Sequence, residues 1–220
     1  MSDARDNILA RLRAVARQDA VATTEPVAPP EMELSHADKV ARLKRLMEAM
    51  HAEVVVTDSH HWTTILKGLL RQRSPNGLLY APTTVFGAAL EANWESDLPP
   101  LVGYTQEVEQ CKEHLFAIDA AITSTKGGLA DVGALILWPT PQEPRLMSLA
   151  PAVHIAVLEA TRIHGSLAEA IASERWQDGM PTNVLLISGP SKTADIELVL
   201  TFGVHGPKEL IVLILDDERG

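Results

Sequence analysis

The sequence predicts an α/β protein: a mostly parallel sheet with helices on both faces, preceded by an N-terminal helical extension. Two observations carry this reading. Ala120 to Thr123, Ala134 to Trp138, Val153 to Glu159, Asn183 to Ser188 and Leu210 to Leu215 are continuous apolar segments, the pattern of strands covered on both faces. Helical stretches alternate with these and with earlier β-rich runs, so crossovers join the strands, and such crossovers link parallel neighbours with a right-handed turn.

Taken in order, Ser2 followed by Ile8, Leu9, Leu12 and Val15 reads as a capped helix with one apolar stripe. Val21 to Glu33 carries Pro26, Pro29 and Pro30 with little large apolar content, the composition of an extended linker. Residues 1–34 are therefore expected to be a helix and Pro-rich linker, and residues 35–216 the α/β domain. Ser35 opens a second helix, with Asp38 three residues later in the manner of a capping box and Val40, Leu43, Met47 and Met50 along one face. A strand at Glu53 to Thr57 and a helix near His60 to Arg73 follow. The turn signal Ser74-Pro75-Asn76-Gly77 then introduces a strand at Gly77 to Ala81. A helix or loop spans Thr83 to Trp94, and a short strand lies at Leu101 to Tyr104. Helices near Ser166 to Arg175 and Lys192 to Phe202 are expected to supply the later crossovers.

Composition narrows the function. A chain of 220 residues with 46% apolar side chains can build a core without disulfides or structural metal. The one cysteine, Cys111, cannot pair within the chain or supply the three or four sulfur ligands of an iron-sulfur cluster. That fits a reducing compartment. No apolar run approaches the roughly 18 residues of a membrane span. Charged residues scattered from Asp3 to Arg17 leave no room for a secretory signal, so a cytoplasmic protein is expected. A net charge of −10 argues against nucleic acid and anionic membrane as partners.

Three segments could carry chemistry. Asn183 to Glu197 reads as a buried strand, a tight turn and a helix start, so Gly189, Pro190, Ser191, Lys192 and Thr193 could hold a carboxylate or phosphate on free first-turn amides. The alternative is a plain helix cap, with Asp195 and Glu197 complementing the dipole. It is not a P-loop, which needs a second glycine before its lysine. Thr123 to Ala134 is a hydroxyl- and glycine-rich loop in which Lys126, Gly127 and Gly128 could approach a ligand. Asp131 is its one carboxylate for acid-base or nucleophilic work. The alternative there is a simple connection, with Asp131 bonding its own backbone. In Gly203-Val-His-Gly-Pro207, His205 could donate a proton to a ligand, or bond a neighbouring carbonyl. Cys111 and His114 have metal-like spacing but lack the other half of a site, so no metal is expected. No glycine fingerprint for a dinucleotide is present, and no cofactor is expected.

Taken together, Ser188-Gly-Pro-Ser-Lys-Thr-Ala-Asp-Ile-Glu197 and Gly203-Val-His-Gly-Pro-Lys-Glu-Leu210, with the terminal strand, resemble the lactate utilisation protein C family and its LUD domain. The resemblance runs from about Ser35 to Leu215; Gly206, next to His205, is also a candidate ligand-binding residue. The resemblance implies a fold like that of ribose-5-phosphate isomerase A, glucosamine-6-phosphate deaminase and the CoA transferases. It also implies a role in oxidising L-lactate to pyruvate alongside two iron-sulfur partner proteins. One departure is plain: where many relatives read alanine, glutamate, threonine, glycine, threonine, this chain has Ala130-Asp131-Val132-Gly133-Ala134, which shortens the acid and removes both hydroxyls.

Three functions are open at this point. The first is a non-redox component of a lactate-oxidising system that binds partner subunits and a small anion. The second is a self-sufficient enzyme on a phosphorylated or acyl/CoA substrate using Asp131. The third is a scaffold that docks through its N-terminal helix, which could instead fold onto its own domain or onto a second copy in a homo-oligomer.

Overall fold

In the computed structural model, residues 2–18, 33–105, 115–194 and 200–218 are described. They fall into two compact units, Met1–Met32 and Glu33–Gly220. The first contains helix α1 (Ser2–Gln18), on which Ile8 is exposed and Leu9 half-buried. The side chains of Leu12 and Val15, and the linker from Val21 to Met32, lie outside the described residues.

The second unit opens with α2 (His36–Ala49), and its start follows the sequence pattern: Ser35 is the N-cap, and its Oγ accepts from the Asp38 amide at 3.2 Å. Val40, Leu43 and Met47 form its buried face, whereas Met50 has become the exposed C-cap. Next come β1 (Glu53–Thr57), α3 (Trp62–Arg73), β2 (Leu78–Tyr80), α4 (Val85–Asn93), β3 (Leu101–Gly103) and β4 (Ala120–Ser124). Thr84 caps α4 by accepting from the Gly87 amide at 3.0 Å. With β7 (Val153–Glu159) and β12 (Glu209–Leu215), the strands form a six-stranded sheet in the order β1-β12-β7-β4-β2-β3. Every neighbouring pair in it is parallel.

Side chains on successive strand residues point to opposite faces, and β12 displays the consequence. Ile211, Leu213 and Leu215 pack with Trp62, Leu66 and Leu70 of α3, while Leu210, Val212 and Ile214 pack with Val40, Leu43 and Met47 of α2. A strand buried on both sides has no polar alternate positions, which is why its sequence runs apolar without interruption.

Two continuous apolar runs have a different home. Ala134–Leu137 (β6) and Leu185–Ile187 (β9) belong to a second, four-stranded sheet of order β8-β5-β6-β9, with β5 (Gly127–Leu129) and β8 (Ile163–His164). Both β5 and β9 run antiparallel to β6. One face of this sheet shares the α2 core through Leu135, Leu137 and Ile163, and the other packs on α5 (Leu167–Ser173) and Trp176 through Leu129 and Ile136. β6 is thus covered on both faces although it is antiparallel, so its apolar run reported burial and not strand direction. Its hairpin partner β5 carries two glycines and gave no strand signal.

The expected helix over Lys192 to Phe202 is not formed. Lys192–Ala194 (β10) pairs antiparallel with Leu200–Phe202 (β11). The Ser191 amide donates to the Pro207 carbonyl at 2.9 Å, and the Ser191 carbonyl accepts from Gly203 at 2.9 Å. Those groups would have started a helix, and they are engaged by the returning chain instead. Thr201 and Phe202 also favour an extended backbone. Residues 195–199, including Asp195 and Glu197, lie outside the described residues. None of the described helices is long and apolar enough to cross a membrane.

Candidate functional site

The hairpin bonds at Ser191 bring the segment Ser188 to Ser191 beside Gly203 to Pro207. Between them and the start of the main sheet lies a pocket of about 260 Å³, walled by residues 188–191 and 205–207 with Ser148, His154, Ile187 and Leu210. That is far more than the ~10–15 Å³ needed to seat one water. His154 and Leu210 are register partners at the second positions of β7 and β12, so the pocket sits at the amino ends of these strands. Open α/β sheets usually present ligands at the carboxyl ends. The turn does follow the carboxyl end of its own strand, β9, but β9 lies in the second sheet.

Several glycines here serve close contact. A Cβ on Gly189 would lie 2.6 Å from the Met50 carbonyl oxygen at the end of α2, and one on Gly206 would lie 3.1 Å from the Ser191 Cβ. Among the described residues of this region, Gly203 alone has a left-handed backbone, with φ of +77°.

No lysine, arginine, aspartate or glutamate is among the described residues lining the pocket. Its polar groups are hydroxyls and imidazoles. Among the described residues, Ser188, Ser191 and His205 have no side-chain hydrogen-bond partner, and His205 is exposed at the pocket wall. His154 is wholly buried: its Nε2 lies 2.9 Å from the Thr123 Oγ, its Nδ1 has no partner, and burial pushes its pKa down to about 4. The ring is therefore neutral at pH 7.

The sequence candidates divide accordingly. Gly189, Pro190, Ser191, His205 and Gly206 meet in this pocket. Lys192 and Thr193 are strand residues of β10 opposite Phe202 and Thr201 and do not line it. With no helix start behind the turn, the row of free first-turn amides expected there does not exist.

The loop from Thr123 to Ala134 is closed upon itself. Ser124 donates its amide to Glu143 at 2.9 Å, and Thr125 Oγ donates to the Val157 carbonyl at 3.0 Å. Lys126 pairs with Glu174 at 2.5 Å and sits 5.6 Å above Trp138. That pairing, against a smaller burial penalty, holds the Glu174 carboxyl below its ordinary range. Gly127 and Gly128 are buried in β5, and a Cβ on Gly127 would meet the Arg162 carbonyl at 2.6 Å. Asp131 accepts from the Val132 amide at 2.8 Å, the self-bonding arrangement weighed above. Cys111 and His114 lie outside the described residues.

His154, Thr123 and Ser148 are pocket or pocket-supporting residues that sequence reasoning missed. A signal existed, because His154 is the one polar residue inside the apolar run of β7. A larger, open cavity of about 630 Å³ at the carboxyl ends of β1 and β12 is walled by Asp58, Asp216 and Asp217. Its carboxylates already have partners: Asp58 accepts from His61, Asp216 bonds His36 at 2.9 Å, and Asp217 accepts from the Ser59 amide.

Comparison with known proteins gives a consistent picture. The LUD domain matches residues 40–215. An uncharacterised protein of Neisseria meningitidis serogroup B is 35% identical, covering 96% of this chain and 93% of that one. Lactate utilization protein C 1 of Bacillus mycoides is 27% identical over 84% of this chain and 82% of its own. The Bacillus subtilis lactate utilization protein C is 26% identical over 82% and 79%. A crystal structure of a DUF162 family protein from Deinococcus radiodurans shares the fold, with a TM-score of 0.58 and 18% identity over 83% of this chain and 99% of that one. The match over residues 40–215 spans both sheets and every element that builds the pocket, and the chain belongs to the LUD domain family.

Proposed function

We propose that this protein is a component of L-lactate utilisation that carries no redox centre of its own and binds a small carboxylic acid in the pocket between Ser188–Ser191 and Gly203–Pro207. The carrying observation is the convergence of the two family-like motifs on one cavity. Its unpartnered hydroxyls and two histidines can bind a polar ligand, while its described lining residues hold no fixed charge. Relatives named for lactate utilisation align over most of the chain, which supports the metabolic context. Electron transfer from lactate needs a cofactor that a protein positions, so the iron-sulfur partners implied by the family resemblance would carry the electrons. The same reading places the domain with the ribose-5-phosphate isomerase A and CoA transferase architecture, supported by the parallel six-stranded sheet.

A carboxylate in this pocket would accept hydrogen bonds from the Ser191 hydroxyl and from an imidazole N–H of His205. The test is isothermal titration of the full chain with L-lactate, pyruvate, phosphate and CoA. Binding of the small acids that weakens at least tenfold in His205→Ala, and is unchanged in Lys192→Ala, is the expected result. Preferential binding of phosphate or CoA would replace this reading with one based on phosphorylated or acyl substrates. Failure of all four ligands would leave only partner binding.

A further inference from the structure

Among the described residues lining the proposed pocket, one buried side-chain polar atom, His154 Nδ1, has no hydrogen-bond partner. We infer that His154, through its unpartnered Nδ1, is the group that recognises the oxygen on C2 of a 2-hydroxy or 2-oxo acid. This inference rests on the pocket being the binding site for a small acid.

The geometry leaves His154 little else to do. Nε2 is committed to Thr123 Oγ at 2.9 Å, so Nδ1 is the ring nitrogen left buried without a partner. The residue lies within the main sheet, with Ala121 of β4 on one side and Leu210 of β12 on the other, and its side chain is wholly buried. A buried polar atom without a partner destabilises the fold, so its retention at a pocket wall is most simply explained by a ligand that completes it. The surrounding wall, with Leu149, Ile187 and Leu210, is apolar and strengthens a hydrogen bond formed there.

The chemistry of the pair selects the ligand class. A neutral imidazole has one donor and one acceptor nitrogen, and a threonine hydroxyl can both donate and accept. When Nε2–H donates to Thr123, Nδ1 is a bare acceptor that takes a hydrogen bond from an alcohol. When the Thr123 hydroxyl donates to Nε2 instead, Nδ1–H donates to a ketone oxygen. Rotating one hydroxyl and changing the tautomer therefore lets the same site bind the alcohol or ketone form of one acid with no net change in charge. Burial keeps the ring neutral, which this exchange requires. Phosphate esters and nucleotides call for fixed cations that the described lining does not contain.

The test uses the full chain labelled with ¹⁵N-histidine and three probes: L-lactate, pyruvate, and propionate, which keeps the carboxylate and carbon chain but lacks the C2 oxygen. L-lactate and pyruvate are expected to bind at least tenfold more tightly than propionate. The His154 Nδ1 resonance should behave as a hydrogen-bonded acceptor with L-lactate and as an N–H with pyruvate, and should stay put with propionate. Thr123→Val, which removes the reversing partner, should bring L-lactate and propionate to within about threefold of each other. Equal binding of propionate and L-lactate to the wild-type chain, with the Nδ1 resonance unmoved, would overturn the role of His154 and leave the pocket as a general carboxylate site. Failure of all three probes would overturn the pocket reading as well. Both outcomes are read on the wild-type chain, so the inference stays testable even if Thr123→Val does not fold.

Discussion

Two segments of this chain look alike in sequence and behave oppositely in the fold. Thr123-Ser-Thr-Lys-Gly-Gly and Ser188-Gly-Pro-Ser-Lys-Thr both combine hydroxyls, glycine and a lysine. In the first, every polar side chain ends on a protein partner: Thr123 on His154, Ser124 on Glu143, Thr125 on a backbone carbonyl and Lys126 on Glu174. In the second, Ser188 and Ser191 have no side-chain partner among the described residues, and the segment walls a pocket. Glycine-rich hydroxyl loops mark places where backbones approach closely. Whether a ligand or the chain itself fills that approach depends on which polar groups are left unpaired.

The largest expected effect would sharpen the comparison, because it falls on His154, where the two regions touch. Its folded pKa of about 4 lies below the ordinary 6.5, so the unfolded chain binds the proton first. The stability gained from a neutral buried ring is complete above pH 6.5 and is lost as pH falls towards 4, a loss of about 3 kcal/mol. Urea unfolding of the wild type at pH 7 and pH 4.5 should display this loss, and His154→Leu should flatten it; an equal slope in the variant would assign the acid sensitivity elsewhere.

Next in size is Gly133→Ala, in the closed loop. Gly133 has φ of +66°, and a Cβ there would lie 2.3 Å from the Leu46 Cβ on α2. Left-handed strain and overpacking together should lower the unfolding free energy by about 2–3 kcal/mol. His205→Ala, on the open side, should reverse this pattern, weakening small-acid binding at least tenfold while stability stays within about 0.5 kcal/mol. If it instead destabilised the chain, the pocket wall would be structural and the comparison would fail.

The smallest effect belongs to Lys126→Ala. Its half-buried pair with Glu174 should contribute about 1 kcal/mol. Glu174 is held below its ordinary 4.5, so this contribution is present above that pH and disappears as pH falls through the lowered value. L-lactate binding should be unaffected; a tenfold loss would mean that the closed loop also serves the ligand.

Much of the main sheet was legible, because burial on both faces writes a continuous apolar run. Val153–Glu159 matches its strand residue for residue, and Ser35 caps α2 as its spacing with Asp38 requires. The same signal misled at β6, where a second sheet provides the covering layer without any crossover helix. The hairpin at Lys192 to Phe202 was hidden because its partners are set by contacts from Ser191 to Gly203 and Pro207, which local propensity does not encode. The pocket was half legible: its mobile-looking glycines, Ser191 and His205 stand out, whereas Thr123 and His154 acquire meaning only from their juxtaposition across neighbouring strands.

The position of β12 has a further consequence. It follows all the other described strands in sequence, yet it lies between β1 and β7, pairing Val54 with Val212 and His154 with Leu210. Until residues 209–215 have left the ribosome, β1 has no neighbour in the sheet and the pocket has no Leu210. The six-stranded sheet and the Leu210 wall of the pocket are therefore completed only by the last strand, so a chain truncated before residue 209 should lose both together.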